Sequence, residues 1–209
     1  DYIELETPML QMIHGGAAAR PFTTHMNALD TDLYLRIATE IYLKRAVVGG
    51  VDRVFEMNRN FRNEGMDSSH SPEFTSLEAY EAYSDYNGMA ELTRDLIQQA
   101  ARDAFDLSEG EEIVRLADGT EYDLSGQWDR IDLYGSTSEA LGEEVTVETP
   151  RETLVKYAER IGLEVDDYAV SGKIVEDIFE ELVASKLWAP TFVYDFPEDT
   201  SPLTRYHRS

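Results

Sequence analysis

Two alternating segments joined by a glycine-containing loop constrain the fold of this chain more than any other feature. In RVFEMNRNFRNE (53–64), polar side chains stand at every second position: Glu56, Asn58, Asn60, Arg62 and Glu64. Successive side chains of a strand point to opposite faces, so Phe55, Met57 and Phe61 fall largely on the other face. The pattern predicts a strand with one solvent-exposed polar face and one packed apolar face.

The segment EFTSLEAYEAY (73–83) alternates in the same way and predicts a second strand. One of its faces carries Phe74, Ser76, Glu78, Tyr80 and Ala82. Two such strands joined by a Gly-containing loop predict an antiparallel hairpin. Its polar face is expected to be continuous across both strands, as a binding site or as an ordinary solvated sheet face.

The other patterns predict a mixture of helices and strands. Helices are predicted at 40–48, 87–105, 151–161 and 172–186, strands at the start of the chain, 33–38 and 191–196, a loop at 15–22 and a second hairpin at 111–124. This order is typical of an α+β fold with a mainly antiparallel sheet. Since 209 residues bury one substantial core, we expect one domain, with an insertion at most.

The composition excludes several classes of protein. With 18 Lys and Arg against 42 Asp and Glu, the net charge is -24, which argues against a broad nucleic-acid-coating surface. There are no cysteines for disulfides or thiolate metal sites, and the N-terminus does not resemble a signal peptide. No apolar run approaches the roughly 20 residues of a membrane span, so we expect a cytoplasmic protein without membrane contact.

Arg62 is the strongest catalytic candidate on the predicted polar face. A guanidinium is always charged, and its planar fork matches a carboxylate or a phosphate through two parallel hydrogen bonds. If Arg62 bridges an amino-acid carboxylate and the α-phosphate of a nucleotide, it also stabilises the charge that builds when they react. The alternative is an ordinary ion pair with Glu64 or Glu78 on the sheet surface.

Further candidates lie on the same hairpin. Glu64 is placed to accept a hydrogen bond from an exocyclic amine or to neutralise Arg62. His70, in the loop, is placed to reach a terminal phosphate or simply to be solvent-exposed. Phe74 on a wet face suits stacking by a flat ring such as a purine. Glu78 lies two residues from Tyr80 on the same face. An acid beside a phenol suits binding of a cationic substrate group, but the combination is also common on strands without any function.

Standard nucleotide and metal motifs are absent from the sequence. There is no Walker-type phosphate loop, no dinucleotide fingerprint and no Gly-x-Ser-x-Gly elbow. The histidines other than His70 are His14, His25 and His207, and none shows the i, i+4 spacing of a zinc site. We therefore assign no metal ligand within the chain.

Taken in order, several short segments resemble the catalytic domain of class II lysyl-tRNA synthetases. They are ETP (6–8), GGAAARPF (15–22), YLRIATEIYLKRAVVGG (34–50), FRNEG (61–65), HSPEF (70–74), PTFVYDF (190–196) and SPLTR (201–205). The resemblance runs over nearly the whole chain and implies an antiparallel sheet flanked by helices. It also implies an enzyme that joins lysine to ATP as lysyl-adenylate and then transfers the lysyl group to tRNA(Lys).

In this resemblance the hairpin near 53–83 matches motif 2, which holds ATP bent over the amino acid. Arg62 would hold the α-phosphate and the lysine carboxylate, and Glu64 the adenine amino group. His70 would contact the outer phosphates, and Phe74 would stack on adenine. ATP is then a substrate, and Mg²⁺ accompanies it with ligands mostly outside this chain.

The resemblance also assigns a lysine pocket and a partner. Gly16 and Glu40 match positions near the α-amino group of lysine, while Glu78 and Tyr80 match others in the same pocket. Residues near 1–10 would end motif 1, which places that region at a homodimer interface. The region near 107–190 would be a helical insertion.

The chain also departs from the family pattern. Ser69 and Ser71 flank His70 where many relatives have Arg and Asn, and His25-Met26 stands where another form has two histidines. Both chain ends look unfinished, so we expect an incomplete domain. Motif 3, with its ATP-binding arginine, would follow Ser209, and the anticodon-binding barrel would precede Asp1.

Three other functions compete with the tRNA synthetase. Several segments also resemble the synthetase half of bifunctional proteins that make lysyl-phosphatidylglycerol. They are SGQW (125–128), SEALGEE, and the DFP, SPLT and HRS segments near the end of the chain. A non-catalytic synthetase-like paralogue would bind nucleotide or amino acid or act as a dimerising partner. A fourth candidate would transfer lysine to a protein such as an elongation factor.

Overall fold

The computed structural model describes residues 1–67, 70–201 and 204–205. It divides into two compact units, unit 1 at Asp1–Asp85 and unit 2 at Tyr86–Ser209. The elements of unit 1, in chain order, are β1 (Ile3–Glu4), β2 (Leu10–Gln11), β3 (Thr23–Met26), β4 (Thr31–Leu35), α1 (Glu40–Val48), β5 (Arg53–Phe61) and β6 (Glu73–Glu81).

The predicted hairpin is the longest strand pair in the described part of unit 1. Strands β5 and β6 pair antiparallel from Arg53 opposite Glu81 to Phe61 opposite Glu73, and β1 adds to β5 in parallel. A second sheet has the order β2-β4-β3, with antiparallel pairing throughout. The hairpin prediction is thus confirmed, with β5 ending three residues and β6 two residues earlier than predicted.

The predicted orientation of the hairpin faces was wrong. The side chains of Glu56 and Asn60 are each 1% exposed, whereas Met57 is 61% exposed and its cross-strand partner Leu77 is 45% exposed. Periodicity correctly identified which side chains share a face. Which face is covered depends on the segments packed against the strands, and in unit 1 those segments cover the polar face.

Helix α1 forms at the predicted residues, and its first turn is stabilised from outside the helix. Thr39 precedes the helix but makes no capping bond with its side chain; instead its backbone N–H donates to Glu78 on β6 at 3.1 Å. A carboxylate at a helix N-terminus is favourable because the helix dipole is positive there. Gly49 and Gly50, the latter with φ of +100°, end the helix.

The elements of unit 2, in chain order, are α2 (Tyr86–Phe105), β7 (Ile113–Arg115), β8 (Glu121–Asp123), β9 (Asp129–Asp132), α3 (Leu133–Leu141), α4 (Arg151–Arg160), α5 (Ser171–Leu182), a 3-10 turn (Ala184–Lys186), β10 (Thr191–Tyr194) and a second 3-10 turn (Glu198–Thr200). Strands β7 and β8 form the predicted second hairpin. Among the described helices, none has both the length and the apolar character that crossing a bilayer requires.

The core of unit 2 lies between α3, α4 and α5. Its buried members are Leu133, Val145, Leu154, Ala158, Ile174, Val175, Ile178 and Phe179. The four residues from α5 recur at the i, i+1, i+4 and i+5 spacing of a helix with one apolar face. This face explains why α5 was predictable from periodicity alone.

Two features of unit 2 differ from the predictions. Helix α3, which the sequence patterns did not indicate, begins at the cap residue Asp132, whose carboxylate accepts from the N–H of Gly135. Strand β10 pairs with β9 in parallel, not antiparallel. Together with β1 on β5, this makes the strand pairing mixed, although the hairpins and the second sheet of unit 1 are antiparallel.

We predict that Gly172→Ala loosens α5. Asp199 accepts a hydrogen bond from the backbone N–H of Gly172 at 3.0 Å, and a Cβ at position 172 would overlap the Asp199 carboxylate and the ring of Pro197. The segment that carries Asp199 must therefore move away, at a cost of about 1–3 kcal/mol. Hydrogen exchange of the α5 amides in the complete polypeptide should accelerate accordingly. Gly65→Ala, where a Cβ meets open space, is the control and should leave these amides unchanged.

Candidate functional site

The residues between β4 and α1 lie against the polar face of the hairpin. The backbone N–H of Arg36 donates to the carbonyl of Met9 at 2.8 Å, and its carbonyl accepts from the N–H of Phe61 at 3.0 Å. These bonds attach the segment to β5 and to the chain near β2. We call residues 36–40 the 36–40 segment.

Arg62 lies just beyond the end of β5 and is held by main-chain and aromatic groups. Its Nε donates to the carbonyl of Ile37 at 3.4 Å, and its guanidinium lies over the ring of Phe74, 5.1 Å from the centroid. Across the described residues 1–67, 70–201 and 204–205, no carboxylate forms an ion pair with Arg62. The ion pair with Glu64 or Glu78 that the sequence left open is therefore not formed.

Glu78 and Tyr80 form a hydrogen-bonded pair on β6. Glu78 accepts from the N–H of Thr39 at 3.1 Å and from the phenol of Tyr80 at 2.8 Å. Burial raises the pKa of Tyr80, and the hydrogen bond to Glu78 and the negative charges of Glu78 and Glu40 raise it further. The phenol therefore stays protonated at neutral pH and donates to Glu78.

Gly16 and Glu40 meet at the start of α1. A Cβ at Gly16 would lie 3.1 Å from the Cβ atoms of Ala38 and of Glu40, and the φ of Gly16 is +92°. Only glycine fits both the backbone conformation and the close approach. Glu40 accepts from Lys44 one turn along the helix, and the Lys44 ammonium lies 5.7 Å from the centroid of the Tyr80 ring. Gly16, Glu40 and Tyr80 are thus brought together, with Lys44 beside them.

The remaining candidates lie toward the loop end of the hairpin. A carboxylate oxygen of Glu64 accepts from the N–H of Arg20 at 3.3 Å, and the N–H of Asn63 donates to the carbonyl of Arg20 at 2.8 Å. His70 is exposed and its Nδ1 lies 2.8 Å from a carboxylate oxygen of Asp67. Glu64 thus contacts the Gly-rich loop 15–22, whereas His70 contacts its own loop.

A fully buried ion pair lies directly behind these groups. The Nη1 of Arg36 donates to Glu56 at 2.7 Å, and both side chains are at most 1% exposed. Thr7 donates to Glu56 through its hydroxyl at 2.6 Å and through its N–H at 3.2 Å. Burial by itself would raise the pKa of Glu56, but the hydrogen bonds from Thr7 and Arg36 and the Arg36 charge outweigh it and hold the pKa below the usual value.

A family model described as "tRNA synthetases class II (D, K and N)" matches residues 1–209. The chain belongs to this family. Its relatives include a lysine–tRNA ligase of Mycolicibacterium gilvum, 60% identical over 210 residues, and one of Kineococcus radiotolerans, 59% identical over 208 residues. The alignments cover 100% and 99% of this chain but only 41% of each relative, so the chain spans about two fifths of their length.

A second kind of relative carries an additional activity in its name. The lysylphosphatidylglycerol biosynthesis bifunctional protein LysX of Mycolicibacterium vanbaalenii is 50% identical over 213 residues, covering 100% of this chain and 19% of that protein. Both kinds of relative were anticipated by the resemblances in the sequence. The lysine–tRNA ligases match with higher identity.

Several residues that the structure brings to the candidate site were not foreseen from the sequence. The site predicted from the sequence did not include Arg36, Glu56 or the backbone groups of Ile37 and Thr39. The available signal was a charged residue inside an otherwise apolar run, as in LYLRIA (33–38) and RVFEM (53–57). Lys44 carried no distinguishing pattern, because a Glu-to-Lys i, i+4 pair is common on exposed helices.

Ser69, which flanks His70 in the departure from the family pattern, lies outside the described residues, as do Pro202 and Leu203 of SPLT and His207 of HRS. Among the described residues, no group of three or more His, Asp or Glu side chains is arranged to hold a metal ion. The residues that the structure describes therefore do not by themselves fit a magnesium site.

We predict that Glu56→Gln destabilises unit 1 by about 3 kcal/mol at neutral pH, because it leaves the buried Arg36 without its charged partner. Since folding lowers the pKa of Glu56, its stabilising effect is present above the ordinary glutamate pKa of about 4.3 and is lost as the pH falls through the folded value. Hydrogen exchange of the β5 amides in the complete polypeptide measures both effects.

The difference in the stability of unit 1 between wild type and Glu56→Gln should shrink toward zero as the pH falls below about 4. Glu73→Gln is the control on the same hairpin, because Glu73 forms only an exposed pair with Arg59 at 3.7 Å. A difference for Glu56→Gln that does not change with pH would show that the lost charge is not its cause.

Proposed function

We propose that the protein containing this chain activates L-lysine with ATP to lysyl-adenylate and transfers the lysyl group to tRNA(Lys). The observation that carries the proposal is the state of Arg62. Its guanidinium is partly buried and oriented by a carbonyl and an aromatic ring, and no described carboxylate neutralises it. Such a group is prepared to bind an anion that the chain does not supply.

Two anions meet in this reaction, and we assign both to Arg62. The carboxylate of lysine attacks the α-phosphate of ATP and displaces pyrophosphate, so negative charge accumulates between the two groups. A guanidinium that donates to both would hold them in line and stabilise that charge in the transition state. The chemistry needs no covalent intermediate with the protein.

The acidic groups around the start of α1 would bind the cationic parts of lysine. Glu40, Glu78 and Tyr80 lie on the covered face of the hairpin or beside it, and the Gly16 backbone packs closely against Glu40. We assign Glu40 and Gly16 to the α-ammonium end, and Glu78 with the protonated Tyr80 to the rest of the pocket. A carboxylate in a partly buried site attracts an ammonium more strongly than one in water.

We assign the nucleotide to the loop half of the hairpin. The Arg62 guanidinium lies over the ring of Phe74, and we propose that the adenine ring stacks on the same residue. Glu64 would accept from the exocyclic amine of adenine, and the exposed His70 would donate to the outer phosphates. Magnesium would accompany ATP with ligands mostly outside this chain. By analogy with the family we also propose a homodimer and a cytoplasmic location.

A second function is favoured by the 50% identity to the LysX protein. The adenylation step would be the same, and the lysyl group would end on phosphatidylglycerol. Incubating the complete polypeptide with labelled lysine, ATP, tRNA and phosphatidylglycerol vesicles separates the two. Label in the tRNA fraction alone supports the tRNA ligase, whereas label in the lipid fraction supports the second function.

We predict that Arg62→Ala lowers kcat/KM for lysine-dependent ATP–pyrophosphate exchange at least about 100-fold in the complete polypeptide. This corresponds to the roughly 3 kcal/mol typical of a lost transition-state contact. Arg59→Ala is the matched control, because Arg59 lies three residues before Arg62, on β5, but its exposed side chain pairs with Glu73. It should change the rate less than about threefold. Near-normal exchange by Arg62→Ala would remove Arg62 from the mechanism.

We predict that Tyr80→Phe raises the KM for lysine about tenfold and changes the KM for ATP much less. The variant keeps the ring beside Lys44 but removes the hydroxyl that donates to Glu78 at 2.8 Å. Hydrogen bonds to charged groups contribute roughly 1.5–3 kcal/mol, and 1.4 kcal/mol is a factor of ten. Pyrophosphate exchange at varied lysine and varied ATP measures both constants. Equal changes in both would argue against a lysine-specific role.

A further inference from the structure

The 36–40 segment contacts Gly16, Arg62 and Glu78 of the proposed lysine site and contains Glu40, while Tyr80 bonds to Glu78. The carbonyl of Ile37 accepts from Arg62, and the N–H of Thr39 donates to Glu78. Ala38 packs against Gly16, with 3.1 Å from its Cβ to the position a Gly16 Cβ would take. The segment ends in Glu40 itself. The placement of these groups relative to one another therefore depends on where this short piece of backbone lies.

The side chain of Arg36 is what fixes that backbone to its surroundings. Its Nε donates to the carbonyl of Arg59 at 2.8 Å, and its Nη1 donates to the carbonyl of Thr7 at 3.0 Å, to the Thr7 hydroxyl at 3.1 Å and to Glu56 at 2.7 Å. With its own N–H on Met9, Arg36 joins residues 7–9, the 36–40 segment and β5. One side chain thus locks three stretches of backbone.

Stability alone does not explain this arrangement. Removing two charges from water costs so much that a well-packed apolar pair of similar volume is often as stable as a buried ion pair, or more so. The cost is increased here because Nη2 of Arg36 is buried and has no hydrogen-bond partner among the described residues. What the ion pair provides, and an apolar pair does not, is a directional attachment.

We infer that Arg36 and Glu56 are a positioning pair for the lysine site: they hold the 36–40 segment so that Ile37 and Thr39 place Arg62 and Glu78. The inference rests on the proposed function. Neither side chain touches the substrates; they act through the backbone of the segment. Glu64 and His70, which we assign to the adenine ring and the outer phosphates, bond to Arg20 and Asp67, outside the 36–40 segment, so lysine binding depends on the pair more than ATP binding does.

The test is the double variant Arg36→Met/Glu56→Leu in the complete polypeptide. It replaces the charges by apolar groups of similar size and removes the directional bonds to Thr7 and Arg59. Displacement of a reacting group by about 1 Å can cost about 100-fold in rate. We expect the KM for lysine in pyrophosphate exchange to rise at least tenfold and kcat to fall at least tenfold, with the KM for ATP within threefold.

Two further variants separate positioning from folding. Arg36→Lys keeps the charge without the planar fork. It should retain only part of the wild-type lysine affinity, because one ammonium cannot make the bonds of both Nε and Nη1. Arg53→Met/Glu81→Leu removes an exposed pair at the other end of the same hairpin and should leave both KM values within twofold. If the double variant is unfolded, the Arg36→Lys result decides.

Hydrogen exchange provides a readout that does not depend on activity. Positioning predicts faster exchange at the amides of Phe61 and Thr39, which bond to Arg36 and to Glu78, with unchanged exchange in the rest of the β5–β6 ladder. If wild type shows no lysine-dependent exchange of pyrophosphate, the proposed function fails and these amides alone decide the inference. The inference is overturned if a folded double variant keeps the wild-type KM for lysine, or if its Phe61 and Thr39 amides exchange at the wild-type rate.

Discussion

The buried contact between Arg36 and Glu56 determines how the first 85 residues are put together. The buried residues that the structure describes in this unit divide evenly between two sets: the apolar Leu33, Ile37, Ala38, Leu43 and Val54, and the polar Gln11, Arg36, Thr39, Glu56 and Asn60. An apolar core of that size tolerates several arrangements of its backbone, because hydrophobic attraction has no direction. The directed bonds of the Arg36 guanidinium to Thr7 and to β5 fix its own segment to two others and so restrict the backbone to one arrangement.

This attachment also accounts for the unpaired state of Arg62. In a chain with 42 acidic and 18 basic residues, an arginine between two glutamates is expected to find a carboxylate. Both neighbouring carboxylates are occupied by other donors: Glu64 by the N–H of Arg20, and Glu78 by the N–H of Thr39 and the phenol of Tyr80. The backbone segments that supply these donors thereby keep the guanidinium available for an external anion.

Sequence patterns predicted the local structure well and the tertiary environment poorly. The periodicities of β5, β6, α1, α2 and α5 identified the elements and the residues that share a face, because both follow from backbone geometry. They could not reveal that Glu56 and Asn60 face the interior, since that depends on residues 7–9 and 36–40, which are distant in sequence. The convergence of Gly16, Glu40, Glu78 and Tyr80 came from family resemblance, and the structure supplies its physical reason in the 36–40 segment.

The strong negative charge of the chain does not conflict with binding a polyanion such as ATP. Interactions between exposed charges decay over about 8 Å at physiological ionic strength, so most of the net charge of -24 is screened at any one site. In a partly buried site the nearest groups dominate because the local dielectric is lower. Near Arg62 those groups are a carbonyl oxygen and an aromatic ring, so the arginine remains locally positive. At the opposite end Glu40 pairs with Lys44, and in our assignment Glu40 and Glu78 bind the ammonium groups of lysine. Each half of the site therefore attracts the charge that its substrate carries.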